Sequence, residues 1–467
     1  MPLTQLFNFK NRISLYPLIK SKNIFICIYK AFKDKKNDYY KILYKSQNLI
    51  LYPRSTLSLL RIYQYLNIFK SKRTIFIPDF ICNESLSLLR RTNAKIIFYD
   101  HALLKNKKLI KELKSNEVDI FLFVNYFGKR IEINSDLIKF IEKTNITLIE
   151  DNTHCLTSFK NSFSDIEIYS PHKLFGLEDG SVIKFRDTSF YKEFKTFHQI
   201  QKENYKDFVP RRIIDFLIFF IKRKIRKYFG YRYPELNFNN HKSSKYKINY
   251  SLGVMSKQLL NNNCKKIDFI RKKRVSNYNL WKKNLKIIIP FLKMENLEYM
   301  PYVGIVNFEN TKERTKILKK YNIYGLPFGN WPDLPPEVVK SRDKYKNATI
   351  RFNNQITLPL HQDIDTEIIE SCIDRCFQKY IDSFDLVYSS KNKEINILEN
   401  KKIIGNFLIC HDSKYDRNIL KLKFHKTFKR TYCNSRQFFY KFAKSIIKRL
   451  SIKKQLHFPK NLVLKLD

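Results

Sequence analysis

Blocks of hydrophobic residues alternate with polar stretches along the first half of the chain, a pattern typical of strands separated by helices. Between the apolar runs, residues 84–91 and 135–143 show helical spacing, and Ser135 is the expected N-cap of the second helix. This order predicts a largely parallel sheet flanked by helices. The predicted strands are residues 74–78, 95–99, 119–124, 147–149, 166–169 and 181–185.

Polar and aromatic residues follow the carboxyl ends of these strands. Ligands of parallel sheets bind at that edge, because the loops there open onto a common crevice. We therefore expect Phe80, Tyr126, Asp151 and the residues after Tyr169 to converge in space.

A helix start precedes the first of these strands. Residues 52–57, with the sequence YPRSTL, lead into a helix predicted to end near Leu66. Serine or threonine at such a position commonly caps the helix. The free N–H groups and the helix dipole also suit a phosphate, so both interpretations stay open.

After Tyr246 the pattern changes to that of a smaller α+β domain, and from about residue 386 the chain is rich in lysine and asparagine. We expect an N-terminal segment (1–48), a large domain (49–245), a small domain (246–385) and an appended basic region of unknown role (386–467). The elements predicted beyond Tyr246 are helices 257–284, 312–320, 365–380 and 437–450, and strands 303–308, 355–360, 403–410 and 419–424.

The amino-acid composition excludes several classes of protein and of binding motif. The 467 residues are 43% hydrophobic and 15% aromatic, which excludes a wholly disordered chain. None of the nine glycines forms a GxG pair, so neither GxGxxG nor a Walker A loop can be written. The longest apolar run, residues 213–221, contains Asp215 and is far shorter than the roughly 20 residues of a membrane span. With no apolar signal core near the start, we expect a cytoplasmic protein.

The net charge is +46, from 89 Lys and Arg against 43 Asp and Glu, which raises the hypothesis of nucleic-acid binding. An AT-biased genome, which enriches Lys, Ile, Asn, Phe and Tyr, explains the composition better, and the cations are spread along the chain. Nucleic acid is therefore disfavoured as a partner. Residues 208–229 form a basic amphipathic segment that either lies on an anionic membrane or, the favoured interpretation, packs its Phe and Ile face on the protein.

The eight cysteines are scattered and form no CxxC pair. Cys372 and Cys376 share one helical face, but no second Cys or His pair lies nearby in the sequence to complete a zinc site. We therefore expect reduced thiols and no metal.

Two short segments carry the candidate chemistry: residues 148–154 (LIEDNTH) and 170–173 (SPHK). A carboxylate ends one strand, and Ser-x-His-Lys follows the next strand about twenty residues later. Pyridoxal phosphate (PLP) chemistry needs this set, because a lysine must form a Schiff base while a carboxylate keeps the pyridine nitrogen protonated. A flat side chain that covers the ring and a helix end that binds the phosphate complete this set of groups.

Several further motifs occur in the same order as in one enzyme family. The sequence resembles the DegT/DnrJ-type family of PLP-dependent sugar aminotransferases, members of the fold-type I transferases, over roughly residues 45–380. The motifs that carry the resemblance are 74–82 (TIFIPDFIC), 125–128 (NYFG), 149–154 (IEDNTH), 170–173 with the following Asp179-Gly180, 274–278 (RVSNY) and 358–361 (LPLH).

The resemblance implies roles for three catalytic residues. Lys173 would be the Schiff-base lysine and would move a proton between the substrate carbon and the cofactor. Asp151 would pair with the pyridinium nitrogen, and His154 would lie near the ring hydroxyl. Core packing is the alternative role for His154.

The resemblance also implies the cofactor contacts. Phe80 would stack on the ring, although a shift of one or two residues gives that place to Cys82, and core packing is the other role open to Phe80. Ser55 and Thr56, together with Ser170, would hold the phosphate.

The chain departs from the family pattern at two places. Pro53 and Arg54 precede Ser55 where small residues are usual, and the segment after Lys173 is not rich in glycine. Family members that dehydrate sugars carry His in place of the lysine, and Lys173 argues against that branch.

The function that the resemblance implies is a cytoplasmic homodimeric PLP aminotransferase. It would transfer an amino group, from glutamate, to a keto-sugar activated by a nucleotide, in surface polysaccharide or glycan biosynthesis. Two alternatives stay open: a PLP enzyme acting on an amino acid or as a lyase, and a non-catalytic protein of this fold that binds membrane or nucleic acid through its basic surface.

Overall fold

A computed structural model provides the structure of the chain. It describes residues 38–424 except 70–71, 160, 204–208, 230–251, 289–293, 295–298, 324–327, 383–384, 390–393, 400–401 and 413–416, and outside that range residues 13, 17–18, 24, 29, 442, 445 and 463–466.

A seven-stranded sheet forms the centre of the protein, in the order β1-β7-β6-β5-β4-β2-β3. Every neighbouring pair is parallel except the two pairs that β7 makes, with β1 and β6. The predicted, largely parallel sheet is therefore confirmed. Its strands are β1 (Leu49–Tyr52), β2 (Thr74–Pro78), β3 (Lys95–Tyr99), β4 (Ile120–Val124), β5 (Thr147–Asn152), β6 (Ile166–Tyr169) and β7 (Ser181–Phe185).

Strand β5 is longer than its apolar sequence predicts. The apolar run ends at Ile149, but the strand continues to Asn152 because both neighbours extend alongside it. Val124 pairs with Asp151, and Tyr169 pairs with Asn152. The polar end of β5 thus lies inside the sheet, which fixes the direction of each side chain there.

Helices pack on both faces of this sheet. Residues 84–91, predicted as a helix, form two short 3₁₀ turns instead, Asn83–Leu86 and Leu89–Arg91. The helices of this half are α1 (Tyr39–Leu43), α2 (Ser55–Leu66), α3 (Lys108–Ser115), α4 (Ser135–Glu142), α5 (Pro171–Phe175), α6 (Thr188–Glu203) and α7 (Val209–Phe229).

The N-cap of α4 is Asn134 rather than the predicted Ser135. The Asn134 side chain accepts hydrogen bonds from the backbone N–H groups of Asp136 and Leu137. Asparagine and serine are equally good caps, so the sequence alone placed the start of this helix one residue late.

A second region pairs two antiparallel strands with helices. The single helix predicted over residues 257–284 is two helices, interrupted at Lys265 and Lys266. The Lys266 N–H donates to the Asn263 carbonyl at 2.9 Å, a tighter turn that closes the end of the first helix. The elements are α8 (Val254–Cys264), α9 (Ile267–Ile288), β8 (Val303–Asn307), α10 (Thr311–Ile323), α11 (Pro336–Lys340), α12 (Lys346–Asn354), β9 (Gln355–Pro359) and α13 (Thr366–Asp382).

The C-terminal region contains a five-stranded sheet. The predicted hairpin is confirmed, because β12 and β13 pair antiparallel over eight residue pairs. The helix predicted over residues 437–450 lies outside the described residues except Phe442 and Ser445, which are helical. The strands are β10 (Asp385–Ser389), β11 (Glu394–Glu399), β12 (Lys402–Asp412), β13 (Arg417–Phe424) and β14 (Val463–Leu466).

One apolar cluster joins the large sheet to the second region. Buried Ile62 and Ile183 belong to the same cluster as Trp331, Val338 and Phe352. Burial of each such side chain stabilises the folded protein by about 1.5–3 kcal/mol. The walls of the crevice between the two regions are therefore firmly packed.

Helix α7 packs only part of its apolar surface on the protein. Phe216 is fully buried, whereas Ile214, Ile218 and Ile221 are exposed. The favoured interpretation of this segment, with its Phe and Ile face packed inward, is therefore correct for Phe216 and wrong for the three isoleucines. Among the described residues, no helix has the length and hydrophobicity that crossing a membrane requires.

Candidate active site

A cavity of about 460 Å³ opens at the carboxyl ends of β4, β5 and β6. It is lined by Phe80, Tyr126, Asp151 and Lys173, so the predicted convergence is confirmed. The second region closes the other side through residues 328–332 and 357–359. The volume of the cavity lies within the range of roughly 300–1,000 Å³ that is typical of small-molecule binding sites.

Lys173 lies on α5, a five-residue helix that follows β6. The helix ends at Phe175 and is capped by Gly176, whose φ of 71° is left-handed and strains any residue with a Cβ. A Cβ atom at this position would also lie 2.5 Å from the Pro17 carbonyl oxygen. This short helix directs the Lys173 amine into the cavity, where Nζ donates to Thr153 Oγ1 at 3.2 Å.

Lys173 also contacts His154, and the hydrogen bonds define the state of both groups. The backbone N–H of Phe127 donates to His154 Nδ1 at 3.3 Å, which leaves the imidazole proton on Nε2. Nε2 lies 3.3 Å from Lys173 Nζ. An Nε2–H donates to that amine only when the amine is unprotonated, so this pairing favours neutral Lys173.

Electrostatics agree with that state. Burial lowers the pKa of Lys173, and the carboxylate of Asp151 opposes part of the shift. Burial, followed by the positive charges of Lys173 and Arg351, lowers the pKa of His154 well below its ordinary value. His154 is therefore neutral near pH 7, and more of Lys173 is unprotonated there than in an exposed lysine.

Aromatic rings hold His154 in place. Its imidazole stacks with Tyr302 at 4.7 Å and with Phe127 at 5.8 Å between ring centroids, both nearly parallel. Phe127 has a φ of 60°, a left-handed conformation that costs about 1–2 kcal/mol outside glycine. In that conformation the Phe127 N–H donates to His154 Nδ1, so the strained backbone orients His154.

Asp151 is the carboxylate of the cavity. Its side chain accepts a hydrogen bond from the Thr153 N–H at 2.9 Å. Burial raises the pKa of Asp151, while Lys173 and the Thr153 hydrogen bonds lower it in part. A cation placed beside this carboxylate stabilises its ionised form.

A polar network on the opposite face of β5 fixes the strand that carries Asp151. Successive strand residues point to opposite faces, so Glu150 and Asn152 face away from the cavity. The Asn125 amide donates to Glu150 Oε1 at 2.6 Å and to Asn152 Oδ1 at 2.7 Å. Its own oxygen accepts from the Ile131 N–H. These hydrogen bonds hold the ends of β4 and β5 together.

The start of α2 forms another wall of the cavity, through Ser55 and Thr56. Thr56 Oγ1 is buried and has no hydrogen-bond partner among the described residues. Ser170 Oγ is likewise buried without a described partner, but Ser170 does not line the cavity. The structure thus brings Ser55 and Thr56 to the cavity wall, whereas Ser170 is not one of the lining residues.

Phe80 and Cys82 were the two predicted ring-covering residues, and both line the cavity. Phe80 is fully buried, with Trp331 stacked on it at 4.5 Å and the Arg351 guanidinium 4.5 Å from the ring centroid. Cys82 is half-buried and its Sγ donates to Asp333 Oδ1 at 3.0 Å. Neighbouring side chains already contact the Phe80 ring, which leaves Cys82 better placed to face a ligand.

Sequence reasoning missed three residues that contact the predicted set. Thr153 lies between Asp151 and His154 in the sequence, and its hydroxyl group is the signal that could have identified it. Tyr302 and Trp331 come from the second region, where no strand-end pattern marks them. Trp331 is one of only two tryptophans in the chain.

Among the described residues, one group has ligand atoms close enough for a metal: Asp79, Asp100 and His101. The His101 ring and backbone N–H both contact Asp79 Oδ1, at 2.8 and 2.9 Å, so these residues already pair with one another. The described cysteines 82, 155, 264, 372 and 376 are not disulfide-bonded. The absence of a metal stays a prediction.

No family model and no curated protein matches the sequence. The structure, however, is similar to solved aminotransferases. Helicobacter pylori PseC, an aminotransferase involved in the biosynthesis of pseudoaminic acid, has 14% identity and a TM-score of 0.57, covering 79% of this chain and 99% of its own. The putative sugar aminotransferase Spr1654 from Streptococcus pneumoniae, in its PMP form, has 13% identity and a TM-score of 0.56, covering 78% and 96%.

A third similar structure is a GDP-4-keto-6-deoxymannose-3-dehydratase with a trapped PLP–glutamate geminal diamine. It has 15% identity and a TM-score of 0.55, and the match covers 78% of this chain and 99% of that one. These likenesses, together with the mainly parallel sheet, confirm the predicted fold: that of the PLP-dependent fold-type I aminotransferases.

The charge of Asp151 acts on the Lys173 amine, which predicts a measurable pH dependence. Labelling of Lys173 by a small acylating reagent requires the neutral amine, so its rate should rise with pH and reach half-maximum below 10.5, the ordinary lysine value. Asp151→Asn removes the charge that favours the protonated amine, so the midpoint should move to still lower pH. Mass spectrometry of the labelled peptide measures both midpoints.

Asp187→Asn, at the exposed start of α6, serves as the control and should leave the midpoint unchanged. A midpoint that rises, or stays fixed, in Asp151→Asn would show that Asp151 does not act on Lys173.

Proposed function

We propose that this protein is a PLP-dependent aminotransferase that transfers an amino group, from glutamate, to the keto group of a nucleotide-activated sugar. The product would serve surface polysaccharide or glycan biosynthesis. The single observation that carries the proposal is the convergence of Lys173, Asp151 and His154 in one cavity. The cofactor requires a lysine amine that can bond to its aldehyde and a carboxylate that can face its pyridine nitrogen, and this cavity offers both.

The residues of the cavity fit the cofactor. Thr56 Oγ1 is a buried donor without a described partner at a helix start, as a phosphate requires. Asp151 offers a carboxylate to the pyridine nitrogen, and the Lys173 amine would bond to the aldehyde. Cys82 or Phe80 would cover the ring. When bound, the cofactor supplies a carbonyl that accepts the amino group and a ring that withdraws electrons from the reacting carbon.

The chain's own residues would manage protons and water. Lys173, held by Thr153 and His154, would carry a proton to and from the substrate carbon at Nζ. Neutral His154 would keep Lys173 oriented without adding a charge. The aromatic rings of Phe127, Tyr302 and Trp331 would exclude water from the reacting atoms.

The comparisons support the substrate class. PseC is described as an aminotransferase of pseudoaminic acid biosynthesis, and Spr1654 is described as a putative sugar aminotransferase. The name of the dehydratase contains GDP-4-keto-6-deoxymannose, and its structure is described as holding a trapped PLP–glutamate geminal diamine. Lys173 favours amino transfer over dehydration, since dehydrating members of the resembling family carry histidine at that position. The homodimer, which rests on the resemblance, and the cytoplasmic location belong to the same proposal.

The roles of the lysine and the carboxylate predict the effect of replacing them on turnover. Lys173→Ala should lower amino transfer by at least about 10³-fold, because both the covalent link and the proton carrier are lost. Asp151→Asn should slow turnover strongly by weakening the electron sink. Product formation with glutamate and a panel of nucleotide keto-sugars measures both, and circular dichroism verifies the fold. Lys139→Ala, an exposed lysine on α4, is the control.

Retained transamination in Lys173→Ala would refute the assignment of the lysine. Turnover of amino acids, or elimination without amino transfer, would favour the alternative PLP reactions instead. A protein that stays colourless and takes up no PLP would favour the non-catalytic alternative.

A further inference from the structure

Helix α7 has an inner side that packs on the protein. Phe216 belongs to a buried apolar cluster, and Ile213, Leu217 and Phe220 pack against the same cluster. At 3.6 residues per turn, these four residues lie on one side of the helix. Core packing therefore accounts for this side of α7 and anchors the helix to the folded chain.

The other side of α7 is apolar as well. Ile214, Ile218 and Ile221 are 57%, 44% and 53% exposed. Their spacing of i, i+4 and i+7 places them in one row along the helix, which we call the isoleucine stripe. A surface helix ordinarily presents polar residues on its outer side, so core packing does not explain this row. A contiguous apolar surface of this kind is typical of a binding surface.

The charges of α7 define the kind of surface that the stripe can bind. The helix carries seven Lys and Arg residues and a single acidic residue, Asp215. Five of these cations lie between residues 222 and 227, directly after Ile221, and Lys222 is exposed. Positive charge attracts the headgroups of anionic lipids. An apolar row beside cations is the composition of helices that lie in the membrane interface.

We propose that the isoleucine stripe docks α7 on an anionic lipid surface. The three isoleucines enter the boundary between headgroups and acyl chains, and the lysines and arginines contact the headgroups. The stripe covers one side of the helix only, so α7 lies in the plane of the interface instead of crossing the bilayer. The proposal is independent of the proposed function, because none of the three isoleucines lines the cavity.

A second copy of the chain is the main competing occupant of the stripe. The net charge of the chain is +46, so any surface of a second copy brings further positive charge towards the cations of α7. An anionic lipid surface attracts the same cations that a second copy repels. Charge complementarity therefore favours lipid as the occupant.

The stripe and the cavity lie on opposite sides of the same helix. Arg223 lines the cavity, and its guanidinium donates to the Pro17 carbonyl oxygen at 3.1 Å. Arg223 follows Ile221 by two residues, which corresponds to about 200° around the helix. Docking would therefore place the cavity beside the lipid surface, with α7 between them.

Co-sedimentation of the full-length chain with vesicles tests the apolar contribution. The wild type should bind vesicles of phosphatidylcholine with phosphatidylserine, and it should bind pure phosphatidylcholine at least about tenfold more weakly. The variant with Ile214→Ser, Ile218→Ser and Ile221→Ser should lose at least about tenfold in affinity for the anionic vesicles, because less apolar surface leaves water. A matched variant with Ile42→Ser, Ile68→Ser and Ile350→Ser removes three exposed isoleucines elsewhere and should bind as the wild type does.

A second variant tests the charges while keeping Arg223, which lines the cavity. Lys222→Gln, Lys224→Gln and Lys227→Gln together should lower the affinity for anionic vesicles by about tenfold or more at low ionic strength. The binding that remains should also depend less on salt, since salt screens the attraction of exposed charges. The matched control replaces three exposed lysines of α3 and α4 with Gln: Lys111, Lys114 and Lys139. It removes the same charge and should bind as the wild type does.

A fluorescence measurement locates the contact directly. The two tryptophans of the chain, Trp281 and Trp331, are 0% and 7% exposed, so both are shielded from lipid. In the variant Ile218→Trp, an added tryptophan lies in the stripe, and brominated lipids in anionic vesicles should quench its emission. The same lipids should not quench Ile68→Trp, an exposed position away from α7.

Several outcomes would overturn the docking. These are a wild type that binds no anionic vesicles, equal binding to neutral and anionic vesicles, and an α7 isoleucine variant that binds as well as its matched control. A wild-type dimer in analytical ultracentrifugation that only the α7 isoleucine variant dissociates, without vesicle binding, would assign the stripe to a second copy of the chain. Circular dichroism verifies that each variant keeps the wild-type fold.

Discussion

Removal of the Lys173 amine from water is the interaction on which the site depends. An ammonium group in a cavity loses its hydration, so the neutral amine gains relative stability. Asp151 limits this effect, and His154, itself neutral, offers a donor that only the unprotonated amine accepts. A lysine with a lowered pKa thus follows from the positions of three side chains.

The sheet explains why these side chains meet. Asp151 lies at the end of β5, and Lys173 follows the end of β6, its parallel neighbour. The hydrogen bonds of Asn125 hold β4 against β5 from the other face, so Asp151 has one direction available. The strained backbone of Phe127, at the end of β4, orients His154. Rigid strand ends, rather than mobile loops, define the reacting geometry.

Much of this arrangement could be predicted from the sequence, for a physical reason. Strands of apolar residues end at polar ones, so Asp151 and Lys173 could be assigned to one edge of the sheet. Tyr302, Trp331 and Arg223 could not, because tertiary packing of distant segments brings them to the cavity. The break between α8 and α9 was missed because the spacing of apolar and polar residues continues across Lys265 and Lys266, where the first helix ends.

The most direct test of the central claim is the site of covalent attachment. The full-length protein is incubated with PLP, reduced with borohydride and digested with trypsin, and mass spectrometry then locates the pyridoxyl group. The account predicts the group on the peptide that contains Lys173, with trypsin failing to cleave after that residue. A pyridoxyl group on another lysine, with Lys173 unmodified, would contradict the account.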